Sequence, residues 1–380
     1  MEGSVLNPAH DDRFASLSGR VLGGRYRLDR HLADGGMGSV WTAQHLTLGT
    51  PVAVKLMSVE GAHRADLRAR FEQEAKAVAR LRHPHIVQVL DYGTEQDTPY
   101  IVMELLEGID LLATQEQARI WPLSEVATLV SQVASGLGAA HRAGLIHRDV
   151  KPANIFLART AVAASPGSVN VGGEIVAKLI DFGIAKWAEN KDILTGANVA
   201  LGSPSYMSPE QIRGHRLDER VDAWALAVVA FTLVTGEMPF VGRNGPDIAK
   251  QIVLGARRAI PPNAPNSLAL ERFFGRAFAG DPLLRFRSVE ELAGEFILLA
   301  GAPSPLWIAD RVAHARSAED AETREVTPFR EDSTTNQLDR APRAEPSIAP
   351  GAEPEDLERT EIDDRLNPSE GGGGRTRSSG

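Results

Sequence analysis

The segment GLIHRDVKPANIFL packs His147, Arg148, Asp149, Lys151 and Asn154 between apolar flanks. Polar residues around a proline make an ordinary surface turn. These types also do chemistry: Asp149 and Asn154 offer oxygens suited to a substrate proton and a hard cation, and Lys151 adds positive charge beside them. Further on, KLIDFG puts Asp181 at the end of a β-like run, a weak signal by itself. Upstream, PVAVKLM sets Lys55 in an apolar strand segment. A lysine there commonly reaches solvent. The alternative is an ion pair that holds its ammonium against phosphate oxygens.

The partner for such a pair lies in RADLRARFEQEAKAVARLR. Phe71, Ala75 and Val78 repeat at helical spacing, and Glu74 falls on the same inward face. Glu72 instead meets Lys76 at i, i+4 and reads as a solvated charge. An inward acid demands a cation, and Lys55 is the candidate for it. Ahead of both, LADGGMGSV crowds Gly35, Gly36 and Gly38 between two strand-like runs. It is either a plain tight turn or a phosphate cradle whose first glycine is missing.

The elements that must position these residues divide into two unlike sets. Residues 26–105 alternate β-like segments (YRLDRHLA, SVWTA, PVAVKLM, IVQVLDYG, PYIVMELL) with that single helix. From Ser124 the pattern turns mainly helical, through SEVATLVSQVASGLGAAHRAG and VDAWALAVVAFTLVTG to Ala300. The longest apolar run, Ala223 to Val234, is too short to span a bilayer and reads as a buried core helix. The fold class is therefore α+β and bilobal.

Composition bounds the rest. The chain has 380 residues, 43% of them hydrophobic, enough for a real core. With no cysteine, disulfides and thiolate zinc sites are excluded, and a reducing, cytoplasmic setting is the simplest reading. The N-terminus lacks the basic start and apolar run of an export signal. Residues 301–380 hold 17 acids and 10 arginines, which carries most of the net charge of −9. That stretch, with its prolines, DSTT and closing GGGG, is expected to be a disordered acidic tail. No basic footprint for nucleic acid is present, no membrane contact is expected, and nothing sets an oligomeric state. The ten histidines show no metal-site spacing and read as structural.

Taken in order, these motifs resemble the bacterial branch of the eukaryotic-like Ser/Thr protein kinase family, over roughly Tyr26 to Ala300. The resemblance implies a β-rich N-lobe at about 26–104 and a helical C-lobe at about 105–300, after a flexible leader, 1–25. It implies ATP and Mg²⁺ as cofactors and protein substrates with Ser or Thr acceptors. Leu32, Ala33, Asp34, Gly35, Gly36, Met37, Gly38, Ser39 and Val40 would cover the phosphates, with Val40 beneath the adenine. Lys55 would contact phosphate and pair with Glu74. Ala53 would line the nucleotide site, Met103 would be the gatekeeper, and backbone groups of Glu104 and Leu106 would face the adenine. Asp149 would be the base, Lys151 would steady the transferring phosphoryl group, and Asn154 and Asp181 would hold the metal. Asp222 would brace the catalytic loop, and Glu210 of GSPSYMSPE would pair with Arg285. Lys151 and Ser203 match the Ser/Thr-specific pattern.

Two departures accompany the likeness. Ala33 stands where the family keeps its first glycine, at a cost set by a backbone angle. Asn154 and Asp181 are 27 positions apart, more than the family's link, and the excess, about 158–174, reads as a tolerated surface insertion in preference to a docking element. The resemblance implies that a phosphate on the activation segment satisfies Arg148. Between Gly183 and Gly202 the only side-chain hydroxyl is Thr195, eight positions before Ser203 as in the bacterial branch. Thr195 is therefore the expected site if there is one, the alternative being a plain surface threonine. Thr360, ahead of Glu361, Ile362 and Asp363, suits a phosphothreonine-binding partner, although an inert solubilising tail is the simpler reading. A pseudokinase scaffold and a small-molecule phosphotransferase are the rival functions.

Overall fold

The computed structural model describes residues 17–35, 38–57, 72, 75–117, 120–159, 175–182 and 204–301. Every described residue lies in one compact unit, 1–327. Six strands form an antiparallel sheet: β1 (Val21–Leu22), β2 (Tyr26–Gly35), β3 (Gly38–His45), β4 (Thr50–Met57), β5 (Val89–Glu95) and β6 (Thr98–Glu104), in the order β1-β2-β3-β4-β6-β5. Alternation along β4 divides its side chains between two cores. Val52, Val54 and Leu56 join Leu28, Trp41, Tyr100 and Val102 on one face, while Met57 packs with Ile101 and Val89 into the larger core on the other. The second face also packs the helical residues 75–79, through Ala75 and Val78 as expected.

Two expectations for this lobe are corrected. Residues 17–25, read as leader, carry β1, which pairs Val21 with Arg27 and Leu22 with Tyr26. Gly23 and Gly24 take φ of 53° and 66°, which turns the chain back so that Leu22 is buried. The segment IVQVLDYG is not one strand. Strand β5 starts at Val89, and Ile86 instead bridges in parallel to Leu179 of the other lobe, where Val87 donates to the Leu179 carbonyl at 2.9 Å and Leu179 to that of His85 at 2.9 Å. An apolar run does not say which sheet claims its backbone.

The second lobe begins with β7 (Gly108–Asp110) and α1 (Leu111–Gln117), followed by the long α2 (Leu123–Arg142). Strands β8 (Ile155–Arg159) and β9 (Ile175–Leu179) pair antiparallel beside β7, with Phe156 opposite Lys178. Among the described residues, the helices that follow are α3 (Pro209–Ile212), α4 (Arg220–Thr235), α5 (Gly245–Leu254), α6 (Ser267–Ala277) and α7 (Val289–Ala300). Helix α4 contains the apolar run 223–234 and is buried on nearly every side, as a helix without a polar face must be. Among the described residues, no helix is long and apolar enough to cross a membrane. Gly36, Met37, Phe71, Glu74, Thr195, Ser203, nearly all of the insertion, the tail beyond Gly301 and the first sixteen residues lie outside the described residues.

Candidate active site

The sheet register brings the first group of residues together. Val40 stands opposite Lys55, and Ala53 opposite Met103. Directly paired residues share a face, as do residues two apart on a strand, so Val40, Ala53, Lys55 and Met103 present one surface. Val52 opposite Glu104 carries β6 to its end, where Leu105 and Leu106 lead into the second lobe.

Ala33 pairs with Val40, next to a register irregularity between His31 and Ala33. It is not among the residues of positive φ, so the alanine sits in ordinary strand conformation. Gly38 is different. Its φ is 148°, and a Cβ there would lie 1.8 Å from the Leu56 carbonyl oxygen. The glycine this loop requires is retained, and the one it lacks is at a position any residue can occupy. The exposed Asp34 is held by His31 Nε2, 3.0 Å from its Oδ1.

The loop before β8 is fixed from below by Asp222, fully buried in the first turn of α4. Asp222 Oδ1 accepts from the Arg148 backbone N–H at 2.7 Å, and Oδ2 from the His147 N–H at 2.8 Å. His141 Nε2, from the last turn of α2, lies 2.7 Å from the same Oδ2. A buried carboxylate needs donors of this kind. They hold Arg148 at φ 63°, a conformation costly for a residue with a Cβ, and Gln211 supports it by donating to the Arg148 carbonyl at 3.3 Å.

Buried His147 donates from Nε2 to the Ile180 carbonyl at 3.3 Å and accepts at Nδ1 from the Asp149 N–H at 3.3 Å. This fixes the neutral tautomer, and burial pushes the imidazole pKa down, in agreement. Asp149 Oδ2 accepts from Lys151 Nζ at 3.0 Å and from Asn154 Nδ2 at 3.0 Å, while Nδ2 also reaches the Asp149 carbonyl at 2.8 Å. With its NH₂ so employed, Asn154 has its Oδ1 left as the amide's acceptor. Ile180 N–H donates to the Asn154 carbonyl at 3.0 Å, which ties the loop to the strand that delivers Asp181. Asp181 also has positive φ, 53°, and its Oδ1 is 2.7 Å from Lys55 Nζ.

Lys55, Asp149, Lys151, Asn154 and Asp181 thus form one connected cluster, half-shielded from solvent. Two hard oxygen donors, the Asp181 carboxylate and Asn154 Oδ1, suit a divalent cation such as Mg²⁺. Glu74 lies outside the described residues; among the described residues, Lys55 pairs with Asp181. Glu210 and Arg285 pair as expected, at 2.8 and 2.9 Å. Sequence reasoning missed the His141 contact with Asp222, which a histidine 81 positions away does not advertise, and the bond between Lys178 and Glu104.

A small antiparallel sheet over a helical lobe, with Lys55 on a sheet strand and Asp149, Lys151 and Asn154 on one loop of the other lobe, defines a bilobal protein kinase fold. The chain belongs to the protein kinase domain family, which matches residues 26–293. It is similar to the serine/threonine-protein kinase Pkn1 of Myxococcus xanthus, 38% identical over 277 residues that cover 70% of this chain and 37% of Pkn1. It is also similar to PknF of Mycobacterium tuberculosis, 36% identical over 298 residues, 77% of this chain and 60% of PknF. The chain spans about half the length of the curated relatives it matches. Among solved structures, the PknI kinase domain of Mycobacterium tuberculosis aligns with a TM-score of 0.58 at 31% identity, covering 75% of this chain and 99% of that one.

Proposed function

We propose that this chain is an ATP-dependent protein kinase that transfers the γ-phosphoryl group of ATP to serine or threonine hydroxyls of proteins, through a domain spanning about 26–300. The observation that carries the reading is the cluster in which Lys151 and Asn154 both hold Asp149 Oδ2 while Lys55 meets Asp181. A pseudokinase has no need to keep all five groups in mutual register.

Asp149 orients the acceptor hydroxyl and takes its proton as the oxygen attacks phosphorus. Lys151, already beside Asp149, offsets the charge that builds on the transferring group. Lys55 holds the phosphates from the sheet side. Asn154 and Asp181 would hold Mg²⁺, which neutralises charge across the phosphates when bound. Val40, Ala53 and Met103 offer the adenine an apolar bed beside the backbone groups of Glu104 and Leu106. Protein rather than small-molecule acceptors fit the segment GSPSYMSPE, and serine or threonine fits Lys151 and the relatives named as Ser/Thr kinases. Because the reaction consumes ATP, the domain works in the cytoplasm.

Autophosphorylation at Thr195 belongs to the same reading, with Arg148 beside the base as its cation. Mass spectrometry of the active protein and kinetics of Thr195→Ala test it; unmodified Thr195 in fully active protein removes the switch. For the reaction itself, the purified chain is given labelled ATP and Mg²⁺ with a generic protein or with aminoglycosides. Transfer to protein, lost in Asp149→Asn with fold and ATP binding kept, is the expected result. Transfer to aminoglycosides alone, or activity persisting in Asp149→Asn, overturns it.

A further inference from the structure

Glu104 closes β6, and its side chain is drawn inward. Oε1 accepts from the Gln88 backbone N–H at 2.9 Å and from Lys178 Nζ at 2.7 Å. The Glu104 N–H donates in turn to the Gln88 carbonyl at 3.0 Å. Backbone and side chain of one hinge residue are therefore both tied down, and Lys178, with its side chain only 15% exposed, is the tie that crosses to the other lobe. It contrasts with a pair such as Arg142 and Glu290, whose side chains are largely open to water and whose contribution is small.

Lys178 stands in β9, three residues before Asp181. The strand with its following residues is thus joined to the upper lobe at two points: to the hinge through Lys178 and Glu104, and to β4 through Asp181 and Lys55. Between them, Leu179 exchanges backbone hydrogen bonds with the 85–87 segment. One short rod spans the groups that would read a base and those that would hold phosphates.

We propose that Lys178 is a positioning residue for the nucleotide, acting through Glu104 to set the hinge backbone at a fixed distance from Asp181. The inference rests on the ATP-dependent reading of the site. Hydrogen bonds to a base are directional and weaken steeply when their donors and acceptors move. Phosphate contacts by charged groups tolerate displacement better. Loss of the tie therefore acts on base-dependent binding more than on the chemical step.

The test compares the full chain with Lys178→Met and Lys178→Arg, measuring kcat and KM for MgATP and MgGTP with a generic protein acceptor, together with Tm. Lys178→Met is expected to raise the ATP KM by about fivefold to tenfold, with a smaller change in kcat, and to narrow the preference for ATP over GTP. Lys178→Arg, which keeps the charge, restores most of both. If Lys178→Met does not fold, Glu104→Gln, which retains an acceptor for Gln88, is expected to narrow the same preference. A folded Lys178→Met, or Glu104→Gln in its place, with unchanged ATP KM and base preference leaves a merely structural ion pair and overturns the proposal, whatever happens to Tm. A wild-type chain that transfers no phosphate from ATP overturns the reading of the site and this inference with it.

Discussion

Lys55 Nζ and Asp181 Oδ1 meet at 2.7 Å across the two lobes. One charge comes from β4, the other from the residue after β9 and Ile180, so the contact joins the six-stranded sheet to the end of β9, the strand paired with β8. A bound nucleotide carrying a cation would offer each group a new partner of opposite charge. The pair keeps both charges satisfied.

The first prediction follows. Lys55→Met leaves Asp181 without this ammonium and removes the positive charge that, on the proposed reading, holds the phosphates. Turnover should fall by at least about 100-fold, on the scale of a lost preorganised charge in an active site. The fold should persist, since Lys55 lies at the edge of the core and not within it. Turnover within about threefold of wild type, in a variant with an unchanged circular-dichroism melt, would contradict this role.

The glycine loop supplies the second. Ala33 is exposed and at negative φ, so Ala33→Gly should shift the ATP KM by less than about twofold, and stability by no more than a few tenths of a kcal/mol. Gly38→Ala places a methyl group against the Leu56 carbonyl at an angle few side-chain-bearing residues adopt. It should cost about 1–3 kcal/mol or force the loop open, read as a much higher ATP KM. If Ala33→Gly instead switches on an inactive protein, the loop is defective as it stands.

The third concerns Asp222. It accepts from three donors in a fully buried site, so Asp222→Ala should destabilise the chain by about 3 kcal/mol or more and release Arg148 from its left-handed conformation. Hydrogen exchange at the amides of His147 and Arg148, expected to be slow in wild type because both donate to buried Asp222, should accelerate along with the loss of turnover. Amides that remain protected would mean that Gln211 and Ile180 hold the loop unaided.

Much of this was legible in the sequence because the chemistry requires particular residue types in a particular order. Asp149, Lys151 and Asn154 lie within six positions, and a loop that short leaves them little choice but to converge. The helical-face argument for Ala75 and Val78 and the pairing of Glu72 with Lys76, 3.7 Å apart, hold for the same local reason. What stayed hidden is long-range. Ile86 could not be assigned to β9 rather than β5 from its apolarity. Nor could His141 or Lys178 be linked to partners 81 and 74 positions distant, because a histidine and a lysine have many ordinary fates. The fate of Ala33 turned on one backbone angle, which composition does not encode.

The last prediction takes the Glu210 and Arg285 pair, which the likeness anticipated and whose burial makes it responsive to acid. Arg285 reaches both carboxylate oxygens, at 2.8 and 2.9 Å, gives Nε to the Ala279 carbonyl at 2.8 Å, and lies over the Trp224 ring at 4.6 Å. Burial pushes the Glu210 pKa up, but the hydrogen bonds and charge of Arg285 outweigh it, and the net shift is below the ordinary 4.5. A carboxyl group held lower in the folded than in the unfolded chain gives stability that is complete above the unfolded value and drains away as pH falls through the folded one. Glu210→Gln removes the charge and leaves Arg285 buried opposite a neutral amide, so it should cost about 3–5 kcal/mol at pH 7. The difference between wild type and variant, measured by urea unfolding, should shrink once the pH drops below about 4.5, because Glu210 of the unfolded chain then takes up a proton that the folded carboxylate, held lower by Arg285, still resists. Replacing both partners, with Glu210→Leu and Arg285→Met, should recover stability relative to Glu210→Gln. A gap that stays constant down to pH 3, or a double variant no better than the single one, would show that the pair acts through packing and not through charge.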